Sequence, residues 1–117
     1  MRYNHLPIFQ LVYKLTLEIF QTTHQFPREY RYTLGQRLKQ QSSCLMDYII
    51  LANSQEDKTA TLEEMSVRVE QLGIDLRLCC DLKILGLKHF EAFARQLEKI
   101  SDQLFKWLDW AKKSTGK

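Results

Sequence analysis

The chemistry this chain can offer is cationic. Between Phe26 and Gln40 the sequence FPREYRYTLGQRLKQ carries Arg28, Arg31, Arg37 and Lys39 against a single acid, Glu29. Arg77, Lys83, Lys88 and Arg95 continue the theme farther along, so five of these eight cations are arginines. Clustered Lys and Arg bind a phosphate backbone by displacing its counterions, and the guanidinium fork can hold two oxygens at once. On isolated helix faces the same residues are simply solvated or paired with neighbouring acids. Tyr30 and Tyr32 stand among the cations. Single-strand binders use that interleaving to stack bases, and ordinary helices use it to seal an end.

Other chemistries lack their residues. His5, His24 and His89 have no cysteine or carboxylate beside them at ligand spacing. Cys44, Cys79 and Cys80 are odd in number, and the adjacent pair lacks the gap that lets two thiolates share a zinc ion, so they read as buried free thiols. Glu63-Glu64 resembles a carboxylate pair, but Thr61-Leu62-Glu63-Glu64 has the form of a helix capping box. No phosphate-cradling glycine loop, nucleophile elbow or HExxH motif occurs. The expectation is a chain with no catalytic residue, metal or cofactor.

The elements that must position these cations are helices. A length of 117 residues fits one domain, 1–117, and the hydrophobic and charged fractions of 44% and 26% are those of a globular protein. No apolar run spans a bilayer and the N-terminal stretch is not of signal-peptide type, which places the chain in the cytoplasm, off the membrane. Two prolines and four glycines give few places to turn, so the elements must be long.

Apolar spacings of three and four predict helices over about 7–23, 30–53, 60–85 and 88–113. Pro7 suits a first turn, and Phe26-Pro27 closes the first helix. Leu34, Leu38, Cys44, Leu45, Tyr48, Ile49 and Ala52 form the inner face of the second, with Gly35 marking a close helix contact. In the third, Leu62, Met65, Val69, Leu72, Leu76 and Cys79 form a stripe that Ile74, Leu78, Leu82 and Leu85 widen, and Gly86 is placed for a left-handed cap. The fourth carries the cleanest heptad, from Phe90 through Trp107 to Ala111. Four such helices with mostly short connections make an all-α, up-down-up-down antiparallel four-helix bundle.

That topology sorts the charge. Residues 1–46 carry +4, residues 47–76 carry −5 and residues 77–117 carry +4. The first and third turns share one pole, where the eight cations face only Glu29, Asp81 and Glu91, for about +5. A second surplus is apolar. Phe9, Tyr13, Leu17 and Phe20 form a second stripe on the first helix, and Phe105 and Trp110 flank the stripe of the last. A monomeric bundle needs one inward stripe per helix, so the excess predicts self-association or a protein partner.

The segment Phe26-Pro27-Arg28-Glu29 with Tyr32, Leu34-Gly35 and Arg37-Leu38, followed by the third helix and a Leu-Gly-Leu turn into a Trp-containing helix, resembles the four-helix-bundle proteins encoded in intervening sequences of ribosomal RNA genes. More closely it resembles their relatives, the accessory variability determinant (Avd) proteins of diversity-generating retroelements. Where the former often have an Ala-Glu-Gly turn after the second helix, this chain reads IILANSQEDK, which favours the Avd branch. The resemblance implies a barrel-like homopentamer without catalytic activity that binds a reverse transcriptase and its template RNA, or an RNA–cDNA hybrid, during mutagenic cDNA synthesis. It carries basic positions onto Arg37 and Arg77; Arg28, Arg31, Lys39, Lys83, Lys88 and Arg95 come from the charge count. The competing expectation is a structural interaction module that never meets nucleic acid.

Overall fold

A computed structural model of the chain describes residues 3–115. Arg2 and Lys117, counted in the segment charges, lie outside it. A short 3-10 turn, Tyr3–His5, precedes α1 (Pro7–Thr23), the single-turn α2 (Arg28–Arg31), α3 (Leu34–Ser54), α4 (Thr59–Asp81) and α5 (Leu87–Thr115). The four long helices form a rod of 51 × 21 × 20 Å, and no strand occurs among the described residues. Sequential helices pack on one another, and α1 closes the square against α5, so α1 and α4 occupy opposite corners. Cross-links fix the directions. Arg37 meets Asp75 and Tyr48 meets Arg68; Glu18 meets Gln96 while Pro7 and Lys106 line one pocket; Glu63 meets Lys112 while Gly73 faces Leu97, so each of these three neighbouring pairs is antiparallel.

The core follows the heptad positions. Val12, Leu15, Ile19, Leu38, Leu45, Ile49, Leu62, Met65, Leu72, Leu76, Ile100 and Leu104 are buried, each contributing about 1.5–3 kcal/mol relative to exposure. Between α1 and α3 the buried Thr16 hydroxyl serves the Val12 and Ser42 carbonyls at 2.8 and 3.3 Å, so its polar atom is satisfied inside an apolar seam. Cys79 is buried, and burial, with the charge of Asp75 adding to it, pushes its thiol up to about 11. Cys44 is only half-buried, not an inner-face residue.

Several expected boundaries move, each for a local reason. The second helix is broken. A one-turn α2 precedes Tyr32 and Thr33, and α3 starts at Leu34 because the chain must turn at Phe26, which is buried, before it can run back along α1. Gly35 sits at the corner. A methyl group there would lie 3.3 Å from the Tyr30 carbonyl oxygen and 3.6 Å from Phe26 and Thr23, which is the close approach its position suggested.

The Thr61 capping box does not form. α4 begins two residues earlier, Asp57 Oδ1 accepts from the Thr59 N–H at 3.1 Å, and Thr61 donates instead to Gln55 Oε1 at 2.7 Å. The ammonium of Lys58 donates to the Ala52 and Gln55 carbonyls, closing the end of α3.

α4 stops at Asp81, four residues before the expected Leu85, and Gly86 is not its cap. Lys83 takes the left-handed conformation at φ 64°, and no glycine among the described residues has positive φ. The Ile84 N–H donates to the Cys79 carbonyl at 3.0 Å and the Lys83 N–H to the Cys80 carbonyl at 2.9 Å, the paired bonds of a Schellman ending. Leu85 then folds into the core, whereas Ile74, Leu78 and Leu82 do not widen the α4 stripe and are exposed. Asp75 is buried in their place.

Candidate nucleic-acid interface

The two turns expected to share a pole are adjacent. Thr22, Gln25 and Phe26 from the first and Ile84 through His89 from the second line one apolar notch, with Lys88 and His89 on its rim. Phe26 is buried at the first turn, and Pro27 with its φ near −53° launches α2, so Arg28 starts a new helical turn at the surface. The Schellman ending of α4 does the same for Lys83 at the second.

The eight cations are brought to this end of the rod, but they do not form one patch. Arg28, Lys83, Lys88 and Arg95 are exposed, on α2, the second turn and α5. Arg77 is exposed on the outer face of α4, 3.9 Å from Asp81 one helical turn on. Arg31 is half-buried and its Nη2 donates to the Phe26 carbonyl at 3.3 Å, which makes it part of the turn. Lys39 points to the α1 side, its ammonium 5.4 Å from the centre of the Phe20 ring. Arg37 points the other way, its Nε 2.6 Å from Oδ2 of Asp75.

Asp75 is the residue the charge count placed wrongly. Assigned by sequence to the acidic middle, it sits against the basic pole and lowers its charge by one. The signal was present, because Asp75 falls three residues after Leu72 and four before Cys79, on the edge of the inward stripe. A carboxylate there must find donors. Gln41 supplies the second, at 2.7 Å from the same oxygen.

Around this pair α3 and α4 leave a groove of about 510 Å³ lined by Tyr32, Gln36, Arg37, Gln40, Arg68 and Gln71, together with Thr33 and Gln41. Arg68 is braced across it, donating to Tyr48 Oη and Gln71 Oε1 at 3.4 Å each and lying 3.6 Å from Glu64. The glutamines and Arg68 carried no functional signal in the sequence, since a polar residue on a helix face is ordinarily a solvated one. The tyrosines divide between their two readings. Tyr30 packs on the core and seals the turn, while Tyr32 is 72% exposed.

The apolar surplus is equally divided. Tyr13, Leu17 and Phe20 are exposed along α1, and Val67, Ile74 and Leu78 are exposed along α4 at the opposite corner. Phe105 and Trp110 are exposed on α5, whereas Trp107 packs against the core. Among the described residues no three His, Cys, Asp or Glu side chains converge at metal-binding distances, and no helix is long and apolar enough to cross a membrane.

The model of the bAvd-like family matches residues 6–111, a span that takes in α1, α3, α4, all but the end of α5, and both turns of the cationic end. No curated protein matches the chain.

Proposed function

Because the chain belongs to the bAvd-like family, we propose that it is a nonenzymatic accessory protein of a diversity-generating retroelement. In the cytoplasm it binds the element's reverse transcriptase and its template RNA, or the RNA–cDNA hybrid, and supports mutagenic cDNA synthesis as a homopentamer. The observation that carries the nucleic-acid half is the exposure of Arg28, Arg77, Lys83, Lys88 and Arg95 around two adjacent turns. Five cations at one end of a rod hold phosphates without reading bases, which suits a protein that positions RNA for another enzyme.

Assembly is supported by the two exposed apolar stripes. They differ in sequence and lie on opposite corners, so a self-complementary two-fold contact would use only one of them. A head-to-tail contact of α1 on one copy with α4 on the next uses both and closes into a ring when the rotation permits. Such a ring repeats the cationic end around its circumference and multiplies the phosphate contacts.

Charge reversal of Arg77, Lys83 and Lys88 tests the reading, since none of the three is tied to a buried partner. RNA affinity is expected to fall, and the slope of log affinity against log salt to shrink by about 0.7–0.9 for each phosphate no longer neutralised. Undiminished affinity with an unchanged slope would favour the structural interaction module, for which the exposed stripes suffice.

A further inference from the structure

We propose that the groove between α3 and α4 seats one unpaired nucleotide, its base stacked on Tyr32 and its phosphate held by Arg37. The inference rests on the nucleic-acid reading and adds to it a preference for single strands over duplex.

Tyr32 is held in an unusual place for a large side chain. It occupies the break between α2 and α3 and borders the groove, yet it is 72% exposed, with its ring committed to no aromatic or cationic partner among the described residues. The neighbouring Tyr30 already closes the turn, so packing does not require a second ring. An exposed aromatic beside cations offers a π-face to any base that has left its stack, and a paired, stacked base has no face to return.

Arg37 is positioned rather than merely attracted. Its Nε is fixed at 2.6 Å by a carboxylate that is itself buried and also bonded to Gln41, while the side chain as a whole remains 62% exposed. Orientation through Nε leaves the two Nη nitrogens as a preset fork for phosphate oxygens. The Gln41 amide cannot be reversed, because its nitrogen must face the Asp75 carboxylate. Its Oε1 is therefore left as a buried acceptor with no partner among the described residues. Gln36 and Gln40, one helical turn apart on α3, add amide groups able to donate to and accept from a base edge. The groove is an open, largely polar trough on the surface, shaped to cradle one face of a nucleotide and not to enclose it.

The test is fluorescence anisotropy of the full chain with a labelled, unstructured single-stranded RNA and with the duplex it forms with its complement, at one fixed salt concentration. Tyr32→Ala is expected to weaken single-strand binding about 5- to 150-fold, to leave duplex binding within about twofold, and to leave thermal stability unchanged, while Tyr32→Phe restores the single-strand affinity. Equal losses on both RNAs, no loss on either, or failure of Tyr32→Phe to rescue each overturns the proposal. So does a Tyr32→Ala protein that binds RNA normally but no longer captures the reverse transcriptase, which would make the groove a protein-docking surface. If the unaltered chain binds neither RNA, the nucleic-acid reading fails along with it; if it binds and Tyr32→Ala changes nothing, only the groove is wrong.

Discussion

Arg37 and Asp75 form an unequal pair. The guanidinium is mostly in water and the carboxylate is not, so the two partners do not depend on each other to the same degree. Removing Asp75 releases an arginine that solvent can still hydrate. Removing Arg37 leaves a buried charge with the Gln41 amide as its remaining donor. Arg37→Ala is therefore expected to cost about 1.5–3 kcal/mol in urea denaturation, the worth of a hydrogen bond to a charged group, and Asp75→Asn distinctly less because the amide can still accept from Gln41. Equal losses would show that the pair is not buried as described. This asymmetry also explains why Arg37 belongs to the candidate site as a positioned group and not as a free charge, unlike Lys83.

At the scale of elements, the ending of α4 shows a local rule broken. A Schellman ending favours glycine at its left-handed position, and Gly86 was available three residues on, yet the position is filled by Lys83. Leu85 accounts for the register: ending the helix at Asp81 lets it reach the core, where it is buried, whereas continuation to Gly86 would carry it past. A lysine at φ 64° costs of order 1 kcal/mol relative to a residue without Cβ. Lys83→Gly is accordingly expected to raise stability by about 1 kcal/mol in chemical denaturation, with the RNA salt slope falling by about 0.7–0.9 if Lys83 meets a phosphate. No gain in stability would mean that the turn takes another conformation in solution.

At the scale of the molecule, the two apolar stripes make a prediction about geometry. In a head-to-tail ring Leu17→Lys spoils the α1 face and Ile74→Lys the α4 face, and either change alone should yield monomers in sedimentation velocity. Mixed in equal amounts, the two variants retain one intact pair of faces between them and should form a one-to-one dimer that cannot extend. An Ile74→Lys protein that remains fully assembled would show that α4 takes no part in the contact. Both substitutions fall on exposed positions, so the bundle core is not at stake. In the proposed ring, cations that are scattered around one end of a single rod would become a repeated array, since several rods would stand side by side.

Sequence alone determined the four helices, their antiparallel order and the pole that gathers Arg28, Arg77, Lys83 and Lys88, because hydrophobic spacing and the scarcity of glycine and proline act locally and leave few alternatives. The motif from Phe26 to Leu38 was legible for the same reason: a buried aromatic, a proline and a glycine at a crowded corner each have a backbone cause. Tertiary structure alone decided which cations are free. Arg31 turns back to the Phe26 carbonyl, Lys39 covers Phe20, and Arg37 meets an acid thirty-eight residues away that a segment-by-segment charge count assigns elsewhere. It also decided that Ile74 and Leu78 face outward and that Tyr30 and Tyr32 part company. Such outcomes depend on how helices are rotated about their axes, and that rotation is set by packing across the bundle and not by neighbours along the chain.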